Sequence, residues 1–361
     1  MKKIIFHHPL PLDKTAKSAS GIRPLKMIDA FERLGFEVIK ATGYGKERKE
    51  VIVNIKKRII GGEKFDFVYS ESSTQPTLLT EKNHLPKYPG IDFNFFKFCK
   101  SHNIKIGLFY RDIYWLFPSY NNRLPFFKRN IAKIFYRYDL FKYNSLVDNI
   151  YLPSMQMANH IPIVNQSKFK ALPPGHDEYA TSTTPSSDDT INLLYIGGLG
   201  AHYQMRKLFS VLKDFPKFRL TLCTRENEWK NVKDETVISK NILVIHKSGE
   251  ELIQLYQNSD IALLFVEPLE YWSFAAPVKL FEYIGQEKPV IASIGTLAGQ
   301  FVEENDIGWN IEYDEAELKD LFVSLDSARD EIFAKKQNIV KIKQQHTWEA
   351  RALQVQKDLG Q

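Results

Sequence analysis

Lys279 and Glu282 stand three residues apart in the stretch PVKLFEY, directly after Pro277. Proline is favoured at the start of a helix, where its missing N–H would be unpaired anyway. A helix opening at Pro277 puts the lysine and the glutamate on one face. Leu280, Phe281 and Ile284 then take the packing side. The free N–H groups of a first turn attract an anion. A cation beside them, here Lys279 next to Val278, suits a diphosphate. A carboxylate that can accept two hydrogen bonds suits a vicinal diol such as a ribose. The bland alternative is an intrahelical ion pair. Ahead of the helix, Glu267, Glu270 and Trp272 line a loop, with Trp272 placed either to stack on a ligand or to fill the core.

A second group of residues reinforces the first. LLYIGGLG ends an apolar run with Gly197, Gly198 and Gly200 and leads into RKLFSVL. Glycines between a strand and a helix let the backbone approach a phosphate. The pattern differs from the dinucleotide fingerprint, and Thr224–Arg225 replaces the acidic residue expected after the next strand. The tight-turn reading stands beside the phosphate reading. Arg206, read as one to two turns into the helix, and Arg225 are candidate diphosphate or base contacts, and His202 follows the loop.

In the first half, His7, Glu71, Arg111 and Asp112 all fall just past apolar runs. Asp112 could take a proton from an acceptor hydroxyl, or cap a helix before Ile113. Glu71 is the second candidate base. His7 and Arg111 are candidates for acceptor contact, and His8 lies beside them.

The elements that must place these residues alternate strand and helix. Strands are predicted over 3–6, 36–40, 65–70, 104–110 and 149–152, then over 193–196, 218–223, 242–245, 261–266, 289–293 and 308–311. Helices are predicted from Pro24 to Leu34, over 52–60, 93–100, 124–144 and 250–258, from Pro277 and at the C-terminus. Gly21 and Arg23 close the loop ahead of Pro24. Alternation of this kind implies doubly wound parallel sheets, whose ligands gather at the carboxyl ends of strands. The polar stretch PPGHDEYATSTTPSSDD marks a linker over 173–190, between domains 1–172 and 191–361, with the C-terminal helix able to return to the first domain.

A length of 361 residues suits two such domains. Two distant cysteines, Cys99 and Cys223, exclude a disulfide framework or a zinc site. The N-terminal apolar run is too short for a signal peptide, and no run reaches a membrane span. The expected setting is therefore cytoplasmic. The net charge of +6 is uneven. Up to residue 170 there are 29 Lys and Arg against 14 Asp and Glu; after it, 20 against 29. Along 124–144, Phe126, Phe127, Ile131, Ile134 and Phe141 interleave with Lys128, Arg129, Lys133, Arg137 and Lys142. That pattern fits an anionic membrane surface or a core helix with a solvated basic face. No nucleic-acid module signature is present.

On SGIRPLKMIDAFERLGFEV, LPPG, LLYIGGLG, ELIQLYQNSDIALLFVEP and PVKLFEYIGQEKPVIAS, from about residue 3 to Trp348, the chain resembles the GT-B glycosyltransferases, family 4 and the capsule and exopolysaccharide enzymes near it. The resemblance implies α/β architecture with two Rossmann-like, doubly wound domains facing a cleft. The basic, aromatic helix over 124–144 adds the expectation of a peripheral enzyme at the inner face of the membrane. The acidic domain would bind a nucleotide-sugar and the basic one a glycan or lipid-linked acceptor, without nucleic acid. By resemblance Glu282 binds the donor ribose, Val278 and Lys279 lie by the diphosphate, and Gly21 belongs to a loop near donor and acceptor. Phe274 stands where the family has a second glutamate, and Gly198 where it has an arginine, so retaining and inverting transfer both stay open. No Asp-x-Asp triplet occurs, which fits an enzyme without metal or cofactor. The alternatives are a nucleotide-sugar epimerase on the same fold and an inactive scaffold.

Overall fold

The computed structural model describes residues 2–16, 18–117, 125–179, 189–199, 205–233 and 238–360. The chain divides into two compact units. The first comprises Met1–Pro174 and Trp348–Gln361; the second is Gly175–Thr347. Much of the expected linker, including 180–188, lies outside the described residues, as do Gly200 and His202.

The first unit is built on six parallel strands, β1 (Lys3–His7), β2 (Glu37–Ala41), β3 (Phe67–Glu71), β4 (Lys105–Phe109), β5 (Asn149–Leu152) and β6 (Phe169–Ala171). They lie in the order β2-β1-β3-β4-β5-β6. Strand β3, FVYSE, is buried at every position, as a sheet covered on both faces requires. On one face, α1 (Ala19–Arg33) and α12 (Trp348–Leu359) pack Met27, Phe31, Trp348, Ala352 and Val355 onto Phe6, Phe67 and Tyr69. α2 (Gly45–Ile60), α3 (Ile91–Ser101) and α4 (Phe126–Leu146) complete the unit.

Helix α1 begins at Ala19, five residues ahead of the expected start, and holds Pro24 inside it. Gly21 is therefore helical, not part of a loop. Proline inside a helix normally costs a hydrogen bond and a clash. Here tertiary contacts hold the preceding turn. Arg23 donates to the Leu172 carbonyl at 3.2 Å, and its guanidinium lies 3.5 Å from the centre of the Phe109 ring. Any side chain at position 21 would collide with Ala16, whose Cβ would lie 2.4 Å from a Cβ built there.

The second unit repeats the plan with β7 (Ile191–Ile196), β8 (Phe218–Cys223), β9 (Ile242–Ile245), β10 (Ile261–Leu264), β11 (Val290–Ser293) and β12 (Gly308–Ile311). All six are parallel, in the order β12-β11-β10-β7-β8-β9. α5 (Arg206–Leu212) and α10 (Glu315–Ser327) cover one face. α7 (Leu252–Gln257), α8 (Val278–Gly285) and α9 (Leu297–Glu304) cover the other. α6 (Glu226–Val232) and α9 were not singled out by sequence pattern, while α11 (Asp330–Ile342) lies in the C-terminal stretch expected to be helical. Arg206 opens α5 as its first residue, and so lies a turn or more earlier than expected.

Candidate functional site

Both sheets have a switch point, where the strand order reverses and ligands characteristically bind at the carboxyl ends. In the second unit it lies between β7 and β10. Gly197 and Gly198 follow β7, and the loop to Pro277 follows β10. Helix α8 starts at Val278, with Pro277 as its cap. Its apolar side buries Leu280, Phe281 and Ile284. That leaves Lys279 and Glu282 partly exposed, at 27% and 24%.

The pair is in contact, with Lys279 Nζ donating to Glu282 Oε2. The same oxygen accepts a 3.0 Å hydrogen bond from the Tyr256 hydroxyl. Glu282 Oε1 has no protein partner among the described residues. Burial, then the Glu282 charge, pushes the Tyr256 phenol well above its ordinary value. Burial and the charges of Asp177 and Glu282 also raise the Tyr179 phenol.

Two more tyrosines frame this region. The Ile196 N–H donates to the Tyr283 hydroxyl at 3.0 Å, tying α8 to the end of β7. The Tyr195 hydroxyl donates to the Gly198 carbonyl at 2.7 Å. The glycine loop already holds a carboxylate, since Leu199 N–H donates to Glu228 Oε2 at 2.9 Å. Glu228 Oε1 pairs with Arg225, whose side chain is 61% exposed. A Cβ built on Gly198 would lie 3.0 Å from Glu228 Oε2, so glycine makes room for that contact. Arg206 is exposed. Trp272 is buried and lines a small hollow with Tyr195, Leu264, Val266, Pro277 and Thr296. Phe274 is buried as well, while Glu267 and Glu270 are exposed.

In the first unit the switch lies between β1 and β3, where His7 pairs in register with Ser70. His7 and Glu71, read from sequence as contact and base, are both committed internally. His7 Nδ1 lies 2.8 Å from Ser70 Oγ, and Nε2 lies 2.8 Å from Asp92 Oδ1. Arg48 grips Asp92 through both oxygens, at 2.7 and 3.0 Å. Burial would raise the Asp92 carboxyl, but the His7 hydrogen bond and the Arg48 charge hold it at about 2. Burial pushes the His7 imidazole down. Burial and then Arg111 push His8 down to about 3. Glu71 is fully buried. It accepts from the Tyr69 hydroxyl at 3.0 Å and from Arg111 Nη2 at 3.1 Å, with Arg23 Nε 3.4 Å away. Arg111 also donates to the Ser72 carbonyl at 3.2 Å. Asp112 is half-buried and accepts the Tyr114 N–H at 2.8 Å; the short helix over Tyr114–Leu116 is capped by Ile113 and not by Asp112.

Arg48, Asp92, Tyr256 and Glu228 escaped sequence reasoning. Arg48 and Asp92 lie 44 residues apart, Tyr256 and Glu282 26, and Glu228 and Leu199 29, beyond the reach of local pattern.

Neither a protein-family model nor a curated protein matches the sequence. Solved structures do. The Anabaena protein HepE, crystallised with UDP, is 13% identical over 99% of both chains, with a TM-score of 0.67. The same protein with UDP-glucose gives 0.65. A glycosyltransferase from Rickettsia africae is 15% identical over 99% of this chain and 98% of its own, with a TM-score of 0.64. WaaG, a glycosyltransferase involved in lipopolysaccharide biosynthesis, is 13% identical over 99% of both chains, at 0.60. The fold is GT-B. Within it, the switch point of the second GT-B sheet carries a cation, a half-free carboxylate and an open helix N-terminus. That set can take a diphosphate and a diol.

Proposed function

We propose that this protein is a glycosyltransferase. It moves a sugar from a nucleotide-sugar to a glycan or lipid-linked acceptor in bacterial surface polysaccharide synthesis, without metal or cofactor, at the inner face of the membrane. The observation that carries the reading is the Lys279–Glu282 pair at the open end of α8, beside the β7/β10 switch of a GT-B chain. HepE structures of the same fold hold UDP and UDP-glucose, which supports a nucleotide-sugar donor.

In this reading Glu282 accepts hydrogen bonds from the ribose. Lys279, the first N–H groups of α8 at Val278 and, through the glycine loop, Gly198 receive the diphosphate. Arg206 and Arg225 supply further positive charge, and Gly21, in the first turn of α1, keeps the backbone open near the acceptor. As the acceptor oxygen attacks the anomeric carbon, its bond to the diphosphate breaks. Lys279 and the helix dipole stabilise the departing charge. Asp112 accepts the hydroxyl proton. Arg111 contacts the acceptor, held in place by Glu71.

A thermal-shift screen of UDP-, GDP-, TDP- and CMP-sugars tests the donor. One nucleotide class should raise the melting midpoint, by about 2.7 kcal/mol of stability at 100 times Kd. Glu282→Ala should lose most of that shift while keeping its own midpoint. Four flat responses from the wild type would sink the reading.

A further inference from the structure

We infer that Tyr256 is a positioning residue for the donor site: its hydroxyl holds the Glu282 carboxylate in the orientation that receives the ribose. This rests on the donor reading given above.

Glu282 Oε2 takes two donors, the Tyr256 hydroxyl at 3.0 Å and Lys279 Nζ. They differ in how they are held. Lys279 is partly exposed, on a flexible side chain in the first turn of α8. Tyr256 is only 4% exposed and fixed on several sides. Its ring meets Tyr283 edge-on, with centroids 6.2 Å apart. Its backbone carbonyl accepts from Ser259 Oγ at 2.9 Å, which closes the end of α7. Tyr283 is in turn anchored by the Ile196 N–H. The phenol therefore reaches Glu282 from a rigid frame that also fixes the end of β7.

The consequence appears when a diphosphate arrives. Lys279 cannot serve both the phosphate and Glu282 at full strength. As its ammonium turns to the anion, Glu282 Oε2 keeps one partner, Tyr256. Without that hydroxyl the carboxylate would be free to follow Lys279 or to rotate into water. With it, Oε1 stays turned to the ligand. The phenol is a suitable holder, because burial and the Glu282 charge push its titration well above the ordinary range, so it stays a donor at neutral pH. A hydrogen bond to a charged group is among the stronger ones available.

The test is calorimetric and uses the full chain. UDP and GDP are titrated, each beside its 2′,3′-dideoxy counterpart, into wild type, Tyr256→Phe, Glu282→Ala and the double variant. Tyr256→Phe keeps the buried ring and removes only the hydroxyl, so its melting midpoint should stay close to that of the wild type. The wild type should prefer one ribonucleotide over its dideoxy form. Tyr256→Phe should weaken ribonucleotide binding by about tenfold and leave the dideoxy affinity unchanged. In a Glu282→Ala background the same change should have no further effect. Equal losses for ribo- and dideoxy-nucleotide would mean that Tyr256 only packs, and would overturn the inference. An unchanged ribose preference in Tyr256→Phe would overturn it too while leaving the donor reading intact. Wild type that binds neither nucleotide, or shows no ribose preference, would overturn the inference; the donor reading falls with it only if all four nucleotide classes of the thermal-shift screen are flat as well.

Discussion

At the scale of single residues, a buried carboxylate away from the candidate site gives the clearest test of the fold's electrostatics. Asp139, on the inner side of α4, accepts the Thr77 N–H at 2.7 Å. Its other oxygen has no hydrogen-bond partner. Burial pushes the carboxyl up to about 7, against the Thr77 hydrogen bonds, and the nearby negative charge of Asp92 adds to the rise. Tyr143, whose hydroxyl meets Thr77 Oγ1 at 2.8 Å, and Tyr110 face the same spot, and burial keeps both phenols un-ionised. The folded state thus prefers protonated Asp139, while the unfolded chain ionises it near the ordinary value of about 4. Stability from this group is complete below about pH 4 and is lost as pH rises toward about 7. Asp139→Asn can still accept from Thr77. It should flatten that slope and raise stability at pH 8 by about 2 kcal/mol. Urea midpoints measured between pH 5 and 8 would show it; parallel curves for variant and wild type would refute it. Asp92 works in the opposite sense, because a carboxyl held at about 2 stabilises the fold at neutral pH and loses that effect only in strong acid.

Helix α4 shows how one element can serve two surfaces. Its buried positions, Ala132, Tyr136, Asp139, Leu140 and Tyr143, recur at helical spacing. The Tyr136 ring stacks on Trp115 at 4.9 Å, and its hydroxyl donates to the Thr74 carbonyl. The opposite side exposes Phe127 at 80%, Ile131 at 51%, Ile134 at 63% and Phe141 at 59%. Phe126 is exposed too, with the Arg129 guanidinium 5.3 Å from its ring centre. Lys128 is exposed and Lys133 half-buried on the same helix. Sequence periodicity alone left the core and membrane readings level, because the helix is apolar on two sides. No helix among the described residues is long and apolar enough to cross a membrane. We propose that the outer stripe lies on an anionic lipid surface. The full chain should then co-sediment with vesicles containing anionic lipid, less so as salt rises. Phe127→Glu with Ile134→Glu should weaken that binding by at least about tenfold, since each change removes apolar contact and adds repulsion. Undiminished sedimentation of the double variant would exclude this face.

Across the whole molecule, the parts legible in the sequence were those set by local pattern. Eleven of the twelve strands follow from short apolar runs such as LLYI and VIAS. The three-residue β6 at Phe169–Ala171 is too short to show a period. The start of α1 was hidden because Pro24 is a start signal in isolation, and only Arg23's distant carbonyls explain why the helix begins earlier. At the candidate site, the Lys279–Glu282 contact follows from spacing within one helix. The burial of Glu71 between two arginines does not, because its partners come from α1 and from beyond β4. The same limit applies to the chain's last helix. A return of this helix to the first domain was allowed from sequence, but its heptad-like apolar positions do not by themselves show which sheet it covers; α12 belongs to the first unit. Trp348, Ala352, Val355 and Leu359 are at most 3% exposed there. Arg351 and Gln354 donate to the carbonyls of Pro174 and Ala171, and Lys170 pairs with Asp358 at 2.6 Å. Burying a large apolar side chain contributes about 1.5–3 kcal/mol, so the helix carries a large share of the roughly 5–15 kcal/mol typical of a domain. A chain ending at Thr347 should therefore lose the first unit selectively. Limited proteolysis should digest residues 1–174 while a fragment covering 175–347 persists, because the second unit keeps all of its own strands. Equal protection of both units in the shortened and full-length chains would show that α12 is dispensable to the sheet it covers.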